Sequence, residues 1–309
     1  MNTPNSLHPY LHLSETQRVD LPELKVCEAL PAKFEDSTNR LWSVHYEAEG
    51  RIEEAILKLC FPQDVKDSAF WLGMTSLFGL SFPERMADYV KVYERVSEWS
   101  PLQVPGLVAA RSSHEGYAGC LLTKKLPGSE LLGEQVTQAI AEQLGHHLGS
   151  LHRNSSEWFG PLFNPRSSAD KWGELLFDTV VGLAKREGIS IESYLPELKN
   201  AKYFPYSDAD EFVPIMPDLR WDQFLLHRQR LHALVDLDAM VWGARELEFV
   251  LLEYLLDESL WQAFAEAYSE YRDLPELDSV RTAYRLLLFF MNVLGEESLE
   301  AWMSAPRRL

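Results

Sequence analysis

The sequence predicts an α+β protein in two lobes, a small antiparallel sheet followed by a larger, mainly helical part. Three observations lead there. Strand-like segments crowd the first third, apolar stripes at three- and four-residue steps dominate the remainder, and Leu126-Pro127-Gly128-Ser129 interrupts regular structure between them. The 309 residues, 46% of them hydrophobic, suffice for one large domain or two lobes around a sizeable core. The expected division is an unassigned arm over residues 1–20, an N-terminal lobe over 21–125 and a C-terminal lobe over 126–309.

In the first lobe, segments 39–46 and 54–60 flank Glu47-Ala48-Glu49-Gly50, which reads as a hairpin turn. Phe82, Met86, Tyr89, Tyr93 and Val96 then recur on one helical face. Segments 104–108 and 117–122 read as two further strands, giving a small sheet with one packed helix. Beyond the interruption, Val136, Ile140, Leu144, Leu148 and Leu151 form one helical stripe. Trp172, Leu176, Val180 and Leu183 form a second, and Leu247, Leu251, Tyr254 and Leu255 a third. The apolar run 286–294 is about half the ~20 residues a membrane-spanning helix needs and reads as a buried helix. The exception to this helical pattern is a hairpin: strand 224–226, turn His227-Arg228-Gln229-Arg230, and return strand 231–237.

Forty-seven acids against 29 bases give a net charge of −18, which disfavours a nucleic-acid partner and suits neutral or cationic small molecules. Cys27, Cys60 and Cys120 are odd in number and far apart, as expected of core thiols in a reduced, cytoplasmic protein. The N-terminus lacks a basic stretch followed by an apolar one, so no signal peptide and no membrane association are expected.

The chemistry gathers around the hairpin. Asp218 and Gln223 stand five residues apart before it, and Asp236 follows Asp218 by eighteen residues at its far end. A hairpin brings its two ends together, so a proton acceptor and two oxygen ligands could surround one Mg²⁺ and a phosphate. Upstream, Ala55-Ile56-Leu57-Lys58-Leu59 places a lysine in an apolar strand, where an unpaired charge is costly and an anionic partner is required. Alone, Lys58 would be a snorkelling strand-edge lysine. His146, His147 and His152 lack HExxH spacing and read as core or surface histidines, and the tryptophans read as core.

This order of motifs resembles the aminoglycoside phosphotransferase and choline kinase family, whose members share the bilobal protein-kinase-like fold. Met216-Pro217-Asp218 stands where the family has His-Gly-Asp, Gln223 where it has Asn, and Val235-Asp236-Leu237-Asp238 matches its metal-binding triplet. Gly243-Ala244-Arg245-Glu246-Leu247-Glu248 is similar to the turn and helix that follow, and Leu148-Gly149-Ser150-Leu151-His152 to the family's Leu-Ala-x-Leu-His helix. The resemblance implies Asp218 as catalytic base, Gln223 and Asp236 as Mg²⁺ ligands, and Lys58 as the cation on the α and β phosphates. Ser37, Thr38 and Asn39, within Asp36-Ser37-Thr38-Asn39-Arg40, would cover the nucleotide. Arg220, Asp238 and Glu248 would be supporting or acceptor-side groups. The family pairs its lysine with an acid of the neighbouring helix, which here points to Asp88, with Glu84 a turn earlier. ATP or GTP with Mg²⁺ would be the cofactors, and the implied activity is phosphoryl transfer to a hydroxyl of a small metabolite. The altered loop, with Met216-Pro217 and Gln223, motivates a rival reading: a catalytically impaired pseudokinase that binds a ligand or protein through the same cleft. Neither GxGxxG nor GxxxxGK[ST] occurs, so Rossmann and P-loop readings lack support.

Overall fold

The computed structural model describes residues 8–34, 37–202 and 212–309. Alternation in the first third builds a five-stranded sheet from β1 (Leu24–Ala29), β2 (Asn39–Ala48), β3 (Arg51–Cys60), β4 (Leu107–Arg111) and β5 (Gly119–Lys124). The strand order is β1-β2-β3-β5-β4, with all neighbours antiparallel. The expected hairpin is β2–β3, paired from Asn39 opposite Cys60 to Ala48 opposite Arg51. Its turn residues, Glu49 and Gly50, both have positive φ, the geometry that matches the twist of paired strands. β4 begins three residues later than the sequence suggests, after Pro105 and Gly106.

Side chains alternate across a strand, so Leu57 and Leu59 face one side of the sheet and Lys58 the other. The Leu57 side forms its own core with Leu13, Trp42, Val44, Ala55, Cys120 and Leu122. It is sealed by part of the arm to which the sequence assigned no fold. There α1 (Glu15–Arg18) follows a short 3-10 turn, Leu13 is buried, and the His12 ring lies against Trp42 and Phe61. Gln17 donates to the carbonyls of Ser112 (2.7 Å) and Ala118 (2.8 Å).

Between β3 and β4 the chain forms α2 (Pro62–Val65), α3 (Ala69–Phe78), α4 (Phe82–Arg85) and α5 (Tyr89–Trp99). The single helix expected over 82–96 is thus broken by a 3-10 turn at Met86–Asp88. α3 was not expected. Its sequence, Ala-Phe-Trp-Leu-Gly-Met-Thr-Ser-Leu-Phe, is nearly apolar all round, so it carries no stripe of contrasting polarity to read.

After the predicted interruption come β6 (Ser129–Glu130) and α6 (Gln138–Leu151), the latter capped by the Thr137 hydroxyl. The second lobe continues with β7 (Trp158–Pro161), β8 (Ser167–Ser168), α7 (Trp172–Glu187), α8 (Leu195–Lys202) and β9 (Val213–Ile215). It closes with β10 (Phe224–His227), β11 (Arg230–Leu234), β12 (Val241–Gly243), α9 (Arg245–Leu255), α10 (Glu258–Ser269), α11 (Arg281–Phe290) and α12 (Leu299–Met303). The three predicted stripes correspond to α6, α7 and α9, and the apolar run lies in the buried second half of α11 and just beyond it. No described helix is long and apolar enough to cross a membrane.

The second lobe is less purely helical than the sequence suggests. A four-stranded sheet, β8-β7-β12-β9, had no readable signature because its strands have only two to four residues. The hairpin β10–β11 is present, with Arg228 and Gln229 both at positive φ, and β10 also pairs with β6. Its return strand ends at Leu234, not at residue 237. The Val235 N–H still reaches the Gln223 carbonyl at 2.9 Å, and the chain then turns, closed by Met240 N–H to Leu237 O at 3.2 Å. Asp236 and Asp238 therefore sit in this turn, beyond the strand.

Gly128 is the position where the inter-lobe connection requires glycine. Its φ is +124°, and a Cβ there would stand 2.9 Å from the Leu226 carbonyl oxygen. Gly128→Ala is expected to destabilise the chain by about 2 kcal/mol, read as a lower urea midpoint at unchanged slope. An unchanged midpoint would show that the connection relaxes freely.

Candidate active site

The alternation that buries Leu57 and Leu59 under the arm turns Lys58 toward the second lobe. Its ammonium lies 2.9 Å from Asp236 Oδ1 and 2.6 Å from Asp238 Oδ2. Asp238 Oδ2 also accepts from Asn39 Nδ2 at 2.9 Å, and Tyr89 of α5 donates to the Asp238 carbonyl. Four of the predicted residues, Lys58, Asn39, Asp236 and Asp238, are thus joined directly. Lys58 is nearly buried, Asp238 more so, and a third of the Asp236 side chain is exposed.

Burial works against the Lys58 charge, but attraction first to Asp236 and then to Asp238 outweighs it and holds the ammonium well above the usual lysine range. Asp236 is raised by burial and, more effectively, lowered by Lys58, so it stays ionised. Burial, then repulsion from Asp236, pushes the Asp238 carboxyl up, against the opposing pull of the Lys58 ammonium in contact with it. Asp218 belongs to the same electrostatic cluster. Burial and then Asp236 raise its carboxyl to about 7, although Arg220 opposes the shift.

The sequence assigned the lysine partner to the helix, and that assignment is corrected. Asp88 is held by Arg85 at 2.7 Å and Glu84 by the Ser81 hydroxyl at 2.7 Å. The inward residues of α5 are Tyr89, Val92, Tyr93 and Val96, which carry no carboxylate.

Gln223 Oε1 accepts the Arg220 N–H at 3.0 Å and its Nε2 donates to the Asp218 carbonyl at 3.0 Å. Both ends of the amide are engaged by the loop backbone, so Gln223 closes the loop around Asp218. The extra methylene relative to Asn lets the side chain reach back over its own turn.

Glu248, expected near the acceptor, lies fully buried at the start of α9. Its Oε1 accepts the Met216 N–H at 2.8 Å, and its Oε2 is 3.0 Å from His152 Nε2. The other nitrogen of that ring is 2.9 Å from the Tyr268 hydroxyl. The carboxylate therefore braces the loop two residues before Asp218, while buried Met216 fills the adjacent core. Arg220 pairs with Asp222 at 3.0 Å and lies over the Phe34 ring at 5.1 Å. Ser37 accepts from the Phe34 N–H at 3.1 Å, and Thr38 accepts from the Trp71 indole at 3.1 Å. Asp36 lies outside the described residues. Sequence reasoning missed Tyr89, Tyr93 and Trp71, whose apolar surroundings carry only a packing signal.

The cluster suits a hard cation. Asp218 Oδ1 and Asp238 Oδ1 are buried with no hydrogen-bond partner among the described residues, and such orphaned acceptors are costly. Both described bonds of Asp236 fall on Oδ1. Carboxylate oxygens are the ligands Mg²⁺ takes, with phosphate and water completing its shell. Among the described residues no three His, Cys, Asp or Glu side chains form a metal site by themselves.

The folded chain holds the Asp218 proton up to about pH 7, whereas an unfolded chain releases it near the ordinary 3.8. The folded state thus binds the extra proton between those values, and this residue costs stability increasingly as pH rises, fully above 7. In the ligand-free protein Asp218→Asn is expected to raise the melting temperature by several degrees at pH 8, with the gain vanishing near pH 4. A gain independent of pH would contradict the burial and repulsion argument.

Comparison with known proteins bears on the fold. The solved structure of a macrolide 2'-phosphotransferase from Brachybacterium faecium is 13% identical, with a TM-score of 0.53 over 93% of this chain and 95% of that one. A putative fructosamine-3-kinase from Thermobifida fusca is 18% identical, with a TM-score of 0.54 over 88% of each chain. The GDP complex of aminoglycoside 2'-phosphotransferase-IIIa is 15% identical, with a TM-score of 0.55 over 92% of this chain and 88% of that one. At such identities these likenesses establish the protein-kinase-like fold. No curated protein matches the sequence significantly. The profile of the phosphotransferase enzyme family matches residues 35–283, and the chain belongs to that family.

Proposed function

We propose that the protein transfers the γ-phosphoryl group of ATP or GTP to a hydroxyl of a small neutral or cationic metabolite, with Asp218 as the base. The observation that carries this reading is the Asp218 carboxyl itself, placed in a braced loop with a buried, unpartnered oxygen and raised to about 7. A group with that affinity is matched to take a proton near neutral pH. In the reaction the hydroxyl oxygen forms a bond to the γ-phosphorus, the bond from that phosphorus to the bridging oxygen breaks, and the hydroxyl proton passes to Asp218. Lys58 would neutralise phosphate charge, and Asp236 would hold Mg²⁺, which when bound screens the phosphates and orients them for in-line transfer. Asn39 would act through Asp238, while Ser37 and Thr38 shape the covering loop. A net charge of −18 favours acceptors that carry no negative charge.

The engaged Gln223 amide favours a second reading, in which the cleft binds nucleotide without turning it over. The two are separated by incubating the protein with Mg-ATP or Mg-GTP and amino alcohols, sugars and aminoglycosides. The expected result is acceptor-dependent nucleoside diphosphate release, lowered about 10²–10⁴-fold by Asp218→Asn. Asp236→Ala is expected to abolish Mg²⁺-dependent nucleotide binding. Nucleotide-dependent thermal stabilisation without any turnover supports the binding protein. Absence of stabilisation by either nucleotide rejects both.

A further inference from the structure

Among the described residues, the groups that interact with the Lys58 ammonium are Asp236 and Asp238 from the turn after β11, the Tyr93 phenol from α5 and, electrostatically, the Asp218 carboxyl and the Cys60 thiol at the end of β3. The acids of the α4–α5 region are engaged or exposed elsewhere: Glu84 with Ser81, Asp88 with Arg85, and Glu94 and Glu98 in solvent. The two carboxylates on Lys58 are not equivalent. Asp236 is a third exposed in the cleft, whereas Asp238 is 6% exposed and fixed from three directions. Asn39 at the start of β2 donates to its side chain, Tyr89 of α5 donates to its carbonyl, and its own N–H donates to Asp236 at 3.3 Å.

We infer that Asp238 is the positioning residue for Lys58, the permanent counter-ion supplied by the second lobe in place of a helix acid. The physical reason lies in the competition for Asp236. A cation bound to that carboxylate shares its charge, and Lys58 is then left with Asp238 as its one fixed anion among the described residues. The shorter 2.6 Å contact and the rigid three-point support suit that duty. The catalytic consequence rests on the phosphotransferase reading, but the pairing does not.

A double-mutant cycle of Lys58→Met and Asp238→Asn tests it. In urea unfolding of the ligand-free protein, each single variant is expected to lower the midpoint, and the double variant to fall no further than the worse single. Additive losses overturn the pairing. Should Asp238→Asn alone prove insoluble, recovery of soluble, cooperatively unfolding protein on adding Lys58→Met supports the pairing, because replacing both members removes the unmatched charge. Continued insolubility counts against it. In the second arm, ADP affinity is measured without Mg²⁺. Both singles are expected to weaken it about tenfold, about 1.4 kcal/mol, and the double no more than Lys58→Met alone. Glu94→Gln, on the exposed face of α5, is expected to leave affinity unchanged, and a tenfold loss there returns the counter-ion role to the helix. If Asp238→Asn instead spares ADP binding and raises the Mg²⁺ requirement, Asp238 is a metal ligand and the inference falls. A wild type that binds no ADP defeats the phosphotransferase reading, while the unfolding cycle still decides the pairing.

Discussion

The ammonium of Lys58 lies between two carboxylates of the other lobe, 2.9 Å from Asp236 and 2.6 Å from Asp238, and this contact sets the relation between sheet and hairpin. Three acids, counting Asp218, share the cleft with one lysine, and Arg220 is largely committed to Asp222. A buried cluster with surplus negative charge is expensive unless protons or cations compensate it. Asp218 answers by holding its proton up to about pH 7, whereas Asp238 is met by the Lys58 ammonium at 2.6 Å. The same surplus makes the cleft receptive to a divalent cation with its phosphates. On the proposed reading, an affinity for a metal-nucleotide pair and a tuned base would both arise from one electrostatic cause.

Such a cluster needs rigid supports, since opposed charges that can separate gain little from proximity. On the hairpin side, Gln223 locks the Asp218 turn from within, and Glu248 fastens Met216 from below through a fully buried bond. Replacing an N–H partner at Met216 by hydrocarbon would leave a buried donor unmet, which costs about 1–3 kcal/mol. On the sheet side, the arm over Leu57 and Leu59 fixes β3 and hence the direction of Lys58. The lobes are also joined away from the hinge by α3, whose Ser76 hydroxyl meets Thr179 of α7 at 2.7 Å.

What the sequence reveals follows the range over which each signal acts. Lys58, Asp218, Asp236 and Asp238 were legible because a strand pattern and a hairpin pattern place charges at predictable ends. The pairing of Lys58 with Asp238 spans 180 positions and depends on how the lobes meet, so no local pattern could choose it over Asp88. Gln223 bonds its own loop backbone, a contact that its residue type alone did not announce. α3 and the short β7–β12 sheet went unread because neither offers a contrast between a polar and an apolar face.

The segment before β2 is held by contacts of a different kind from those beneath it. Lys33 bridges Glu130, next to the hinge, and Asp222 of the catalytic loop, the latter at 2.8 Å, while Phe34 lies against Arg220. Lys33 and Glu130 are each 42% exposed, and pairs in such surroundings are worth about 0–1 kcal/mol. Thr38 adds one hydrogen bond to Trp71. The Lys33–Glu130 link is therefore weak and solvent-screened, whereas the Lys58 charge is fixed by more deeply buried partners. A phosphate-bearing ligand that brings its own negative charge to Lys33 and Arg220 would compete with Glu130 and Asp222 for them.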